Sequence, residues 1–309
     1  MPTRYHRRVR LDQRLRALRP DLSWSRLRAA IEKGQVLVDG RVERDPGAEV
    51  ADDARPELDL NRRAVARRAA RLDLPRLYED AHVLVVNKPA GLLTIPTARA
   101  AAGVQDTVLG RVREYARHAR GRAAYAGVLH RLDRDTSGAL AVALTREAHA
   151  AGRALFTAHA FERTYLALVH GVPEPDRGTI RARVSADYRS GRRAIVGTEA
   201  PGRDAVTHYR VKERFDGAAL VELRLETGRQ HQIRLHLERL GHPLVGEQVY
   251  TGNAGGEPRS ARAARQMLHA ATLAFPHPVT GARVEAAAPL PQDFVTALAR
   301  LRREYHSRP

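Results

Sequence analysis

The run His130-Arg131-Leu132-Asp133-Arg134-Asp135-Thr136-Ser137-Gly138 ends directly against Ala139-Leu140-Ala141-Val142-Ala143-Leu144, a stretch without one polar side chain. A short apolar run of this kind reads as a strand covered on both faces. Two carboxylates and two arginines therefore sit at the mouth of a buried strand, where an ionised acid is costly unless it is paired. A second polar-then-apolar segment, Thr227-Gly228-Arg229-Gln230-His231-Gln232-Ile233-Arg234-Leu235-His236-Leu237, brings two more arginines from far along the chain. Either both segments are helix caps with surface ion pairs, which contribute little, or acid and arginine meet to form a site.

At 309 residues the chain is long enough for one large or two unequal domains. Cysteine is absent, which excludes disulfides, cysteine-ligated zinc and thiolate catalysis and fits a cytoplasmic protein. No segment approaches the ~20 apolar residues of a membrane span, and the basic N-terminus leads into no signal-peptide core, so a soluble protein without a membrane partner is expected. The formal charge of +18 suggests a polyanionic partner such as RNA. Of the basic residues only Lys33, Lys88 and Lys212 are lysine. Codon bias is the bland alternative for a chain so rich in Arg and Ala, but charge remains after that discount. A lysine kept inside a motif, as Lys88 is, then points to a need for a compact ammonium.

Metal and hydrolase chemistry fit poorly. His231 and His236 would lie about 140° apart on a helix, and no His-Glu-x-x-His run occurs. A Ser137-His130-Asp133 triad lacks the Gly-x-Ser-x-Gly elbow that exposes a nucleophilic serine.

Leu11, Leu15 and Leu18 fall at helical spacing, and Ser23 or Ser25 can cap a second helix through Leu27, Ala30 and Ile31 that stops at Gly34. In the following Val36 to Val42, Asp39-Gly40 supplies the pair that a tight type I′ hairpin requires. Residues 61 to 75 carry charge without a wide apolar face and read as an exposed basic linker. Beyond it, strands are expected at 83–86, 139–144, 165–169, 205–212 and 218–226. Helices are expected at 108–118, 145–159, 232–240 and through Phe294 to Leu301. The mixture implies an α+β domain with a central, mostly antiparallel or mixed sheet.

His130–Gly138 followed by Thr227–Leu237 resembles the RluA-type pseudouridine synthases. Asn87-Lys88-Pro89-Ala90-Gly91, Arg163-Thr164-Tyr165-Leu166-Ala167-Leu168-Val169-His170-Gly171, Leu268-His269-Ala270 and Phe275-Pro276-His277-Pro278 agree with it in order and spacing. The first sixty residues resemble the S4 RNA-binding domain through Leu11-Asp12, Ser25-Arg26-Leu27, Gly34-Gln35-Val36 and Val38-Asp39-Gly40. The organisation expected is an S4-like α/β domain at 1–60, a basic linker at 61–78 and a catalytic domain at 79–309.

The resemblance implies isomerisation of uridine to pseudouridine in structured RNA. Ribosomal RNA of the large subunit is the first candidate and transfer RNA the second; a non-catalytic RNA-binding or ribosome-assembly protein is the reading from another class. The reaction needs no metal or redox cofactor, and a monomer suffices. By resemblance Asp133 is the essential acid, acting as nucleophile or as base at C2′; Asp135 is its rival in sequence. Arg234 is implied to pair with Asp133 and keep it ionised. Tyr165 is implied to stack on the uracil and assist loss of the C5 proton, with Ile233 on the opposite side. Arg131 enters the RNA stack as the base leaves, or clamps a phosphate, while His130 flanks the opening. Lys88 either touches RNA or pairs internally. Arg26 and Lys33, seven apart on one helical face, are placed to track phosphates, with Ala29 and Ala30 permitting close approach.

Overall fold

A computed structural model describes residues 8–60, 72–97, 106–121, 123–185, 192–252 and 263–306, and the chain divides into two units, 1–69 and 70–309. The first unit runs β1 (Arg8–Arg10), α1 (Leu11–Leu18), α2 (Trp24–Glu32), β2 (Val36–Val38), β3 (Arg41–Val42), β4 (Glu49–Ala51) and β5 (Glu57–Leu58). Leu11 and Leu15 of α1 meet Leu27 and Ile31 of α2 in a small core closed by Val36 and Val50. Ser23 caps α2 by accepting from the Arg26 N–H at 3.3 Å. Asp39 and Gly40 both have positive φ, 50° and 74°, as the type I′ turn demands. Asp12 is fully buried and accepts from Arg10 and from Arg28 Nε at 3.0 Å, so one carboxylate ties α1 to α2. Burial alone would raise its pKa, but the two guanidiniums outweigh it and hold it below the ordinary aspartate value.

Arg26 and Lys33 are exposed. Ala30 is not beside them: it is turned into the core at 2% exposure, so it cannot serve as the small residue that lets RNA approach. The period of the helix decides this, because Ala30 falls on the stripe of Leu27 and Ile31.

The second unit contains β6 (Arg76–Glu79), β7 (Val83–Lys88), α3 (Val108–Arg120), β8 (Gly127–Val128), β9 (Ser137–Ala143), α4 (Arg146–Thr157), β10 (Glu162–His170), β11 (Arg177–Ser185), β12 (Ile195–Val196), β13 (Gly202–Phe215), β14 (Ala218–Leu225), α5 (Gln232–Arg239), β15 (Leu268–Pro276), β16 (Arg283–Ala287) and α6 (Gln292–His306). Its eleven-stranded sheet has the order β12-β11-β13-β14-β10-β15-β9-β7-β6, with β16 beside β15 and β8 beside β9. Every pairing is antiparallel except β15 with β9. The apolar run at 139–144 is explained by the covering of both faces: Leu140 and Val142 join the cluster containing Val108 and Val112 of α3, whereas Ala139, Ala141 and Ala143 join the one containing Ala148 of α4.

Residues 61–71 of the expected linker lie outside the described residues. Its end is part of the sheet unit, because Leu74 is buried in the main core and the Asn87 N–H bonds Pro75 O at 2.8 Å. In this unit strands β6, β8, β11, β12, β15 and β16 were not anticipated. In β11 the sequence Arg177-Gly-Thr-Ile-Arg-Ala-Arg-Val-Ser185 dilutes the apolar alternation with arginines. Among the described residues no helix is long and apolar enough to cross a membrane.

Candidate active site

Asp133 stands on the loop between β8 and β9, and that loop is pinned through its backbone. Lys88 Nζ donates to Arg134 O at 2.8 Å as well as to Pro89 O and Leu92 O. Thr94 Oγ1 both donates to Leu132 O, at 2.7 Å, and accepts from the Leu132 N–H. Arg265 Nη1 donates to Asp135 O at 2.9 Å, and the Thr136 N–H closes a turn onto Asp133 O at 3.2 Å. The loop then enters β9 at Ser137, and the next residue is Gly138, whose φ is +117° and whose missing Cβ would lie 2.2 Å from Ala270 O. Only glycine lets β9 and β15 meet there.

Opposite the loop, α5 is set by Gln232, whose buried amide accepts from the Arg229 N–H and Thr227 Oγ1 and donates to Val206 O and Thr207 Oγ1. This fixes Ile233 and Arg234 toward Asp133. Arg234 Nη1 lies 3.5 Å from Asp133 Oδ2. The rest of its guanidinium is held by a residue that sequence reasoning did not find: Nε and Nη2 each donate to Glu247 at 2.7 Å. Glu247 Oε1 also accepts from the N–H groups of Gln248 and Val249. Burial would raise the Glu247 pKa, but Arg234 and the amides more than offset it and keep the group below the usual glutamate value. Burial would likewise lower Arg234, and the Glu247 fork reverses the direction. Tyr250 stacks beneath the guanidinium at 5.0 Å, and its hydroxyl bonds His231 Nδ1 at 2.8 Å. His231 Nε2 is 3.9 Å from Asp133, but burial lowers its pKa, so the imidazole there is neutral near pH 7. The available signal for Glu247 was an acid set between Leu244-Val245-Gly246 and Val249-Tyr250, which demands a buried partner.

A cavity of about 370 Å³ opens on this pair, lined by Ile95, Arg131, Asp133, Tyr165, Ile233 and Arg234 among others. Tyr165 is buried on β10, and burial raises its pKa, which keeps the phenol protonated. Arg131 is exposed at the rim. Asp135, the rival acid, bonds Arg265 only through its carbonyl, and no polar contact joins its carboxylate to Arg234.

Of the two roles open to Lys88, its surroundings fit the internal one: it is wholly buried, and its three carbonyl partners make it an internal clamp for the loop. Burial pushes its pKa down to about 7, against the pull of Asp135 and Asp133. His130 lines the cavity, as a residue flanking the opening does, but its Nε2 is turned to the strand backbone. Its Nε2 accepts from the Ala141 N–H at 3.1 Å and its ring stacks on Phe156, with burial lowering its pKa to about 3. A neutral imidazole spent on the strand backbone has no charge to offer a phosphate. No group of three or more potential metal ligands occurs among the described residues.

The profile described as RNA pseudouridylate synthase matches residues 82–239, a span that holds Asp133, Tyr165 and Arg234 together. The chain belongs to this family. It is an isomerase of RNA uridine, and residues 9–55 match the S4 domain. The Ribosomal large subunit pseudouridine synthase D of Pseudomonas aeruginosa is 40% identical over 305 residues, 96% of this chain and 92% of that protein. An uncharacterized RNA pseudouridine synthase of Bacillus subtilis, YlyB, is 36% identical and covers 95% of this chain and 94% of its own length. Among solved structures, Human RNA Pseudouridylate Synthase Domain Containing 4 superposes with a TM-score of 0.60 at 26% identity, covering 74% of this synthase and 93% of the human chain.

Proposed function

We propose that this synthase isomerises uridine in large-subunit ribosomal RNA, with Asp133 as its essential acid. The observation that carries the reading is the convergence of Asp133, Arg234, Tyr165 and Ile233 on one cavity, with acid and guanidinium 3.5 Å apart. The choice of ribosomal RNA follows the named relatives. Isomerisation breaks the C1′–N1 bond with its electron pair left on the uracil, turns the free base and joins C5 to C1′, after which C5 loses its proton and N1 gains one. Asp133 opens this sequence as nucleophile or as base at C2′, and Arg234, 3.5 Å away, orients its oxygens. Tyr165 and Ile233 sandwich the extruded base, and Arg131 at the rim takes the place it leaves in the RNA stack. The exposed Arg26 and Lys33 of the first unit add electrostatic affinity that salt weakens. The protein works as a cytoplasmic monomer.

Release of tritium from C5-labelled ribosomal RNA tests the reading. The wild type releases it, and Asp133→Asn lowers the single-turnover rate by about a thousand-fold or more while still binding RNA. An undiminished rate in Asp133→Asn removes the acid from the reaction. Pseudouridine mapping in cells lacking the gene identifies the target: sites lost only from transfer RNA reassign the substrate. With 2-aminopurine beside the target, Arg131→Ala loses the fluorescence rise of unstacking, and an unchanged rise removes Arg131 as the wedge. Sizing chromatography of the pure protein checks the monomer.

A further inference from the structure

Arg163 of β10 is a buried cation that none of the steps above uses. It is 7% exposed, and among the described residues no carboxylate lies within ion-pair distance of it. Its Nε has no hydrogen-bond partner. Its Nη2 reaches only Leu225 O and Glu226 O, at 3.4 and 3.5 Å, which is long for a guanidinium. The Glu226 carboxylate is turned away onto His208 Nε2 at 2.6 Å. What fixes the side chain is packing: the guanidinium carbon lies 4.9 Å over the Phe156 ring, and Gly228 leaves room for it, since a Cβ there would stand 2.5 Å from Nη1.

Arg163 and Tyr165 are two residues apart on one strand. The irregularity between β10 and β15 falls at this point, but the extra residue, Ala271, is on β15, so β10 keeps its alternation and both side chains share a face. Both line the cavity that holds Asp133. A buried cation without an anion is costly, and burial already pushes this guanidinium below the ordinary arginine pKa. Intact uracil offers hydrogen-bond acceptors but no charge, and it becomes an anion only once the C1′–N1 bond has broken, whereas the RNA backbone is charged as the nucleotide enters. RNA carries a phosphodiester on each side of every nucleotide, and extruding a nucleotide carries those groups toward the pocket.

We propose that Arg163 is the counter-charge for a phosphate flanking the extruded uridine, so that its unpaired guanidinium binds the backbone of the nucleotide whose base lies against Tyr165. This rests on the reading of the cavity as the nucleoside site. Arg163 then helps to hold the nucleotide out of its helix, since its missing partner arrives only with the flipped residue.

The test uses the full-length enzyme and an RNA stem-loop around a mapped target uridine, tritiated at C5, with the flanking linkages replaced one at a time by uncharged methylphosphonate. One replacement slows wild-type single-turnover release by about ten-fold or more, the loss expected for one charged hydrogen-bonding contact. Arg163→Gln is slower than wild type on the natural RNA and nearly indifferent to that replacement. Gly228→Ala, which keeps the arginine and crowds its Nη1, is a second probe should Arg163→Gln not fold, and it also loses most of the sensitivity. The proposal is overturned if neither linkage matters to the wild type, or if the variants lose as much as the wild type does. Release from the unmodified RNA reports separately on the isomerase reading, which survives either of those results.

Discussion

At the scale of single residues, the site is an acid whose environment is made by others. Arg234 has more donors than Asp133 can use, and Glu247 takes two of them in a buried fork while leaving Nη1 for Asp133. Glu247 is thus a positioning residue, and its replacement by glutamine separates this role from simple support. Gln keeps an oxygen for the Gln248 and Val249 amides but loses the charge that fixes the guanidinium. We expect Glu247→Gln to lower single-turnover isomerisation by about ten- to a hundred-fold, as misplacement by a fraction of an ångström does. RNA affinity should be retained, and Glu247→Asp should recover part of the rate. Equal losses for the two variants, or a fall in RNA binding that matches the fall in rate, would count against positioning. Asp133, Tyr165, Ile233 and Arg234 were all legible as candidates because their motifs are local in sequence. Lys88 and His130 were legible as residues but not as roles, because a motif does not say which way a side chain points.

At the scale of elements, two strands and a helix bring the site together. Strand β9 receives the Asp133 loop, β10 carries Tyr165, β15 separates them, and α5 delivers Arg234 across the gap. The tightest point is the parallel contact of β9 with β15 at Gly138. Gly138→Ala adds both a positive-φ penalty and a clash with the Ala270 carbonyl, so we expect a loss of about 3 kcal/mol or more of unfolding free energy. Urea melts check this, and a change under ~1 kcal/mol would show that the strands separate freely. Elements with strong periodicity, such as α1, α3, α5 and β9, were read correctly from sequence. Strands β6, β11 and β15 were not, because their pattern is broken by arginine, proline or small residues and they are strands only through their neighbours' hydrogen bonds.

At the scale of the whole molecule, the sheet unit buries several imidazoles in neutral form. His130 and His236 gain a proton near pH 6.5 when unfolded but only at about 3 and about 4 when folded, because burial disfavours the charged ring. Between those values the unfolded chain binds more protons, so stability is full above about pH 6.5 and falls on acidification, by roughly 1 kcal/mol per pH unit for each group. Denaturant melts from pH 7 to pH 5 should show this decline, with a shallower slope in His236→Leu; a flat profile would contradict it. By itself the sequence determined the chemistry on offer: a polyanion-binding chain, an α+β sheet unit after a small helical and hairpin unit, and an acid and an arginine set in recognisable local patterns. Those properties depend on neighbours within a few residues, where spacing fixes helix face and strand side. Only the tertiary structure decided that Glu247 orients Arg234, that Lys88 clamps a loop, that His130 belongs to the core and that Arg163 is left without an anion. Each of those depends on groups beyond the reach of one helical turn or strand step, such as Glu247 and Arg234, 13 residues apart, or Lys88 and Arg134, 46 apart, whose meeting is set by the folded path of the chain and carries no periodic trace in it.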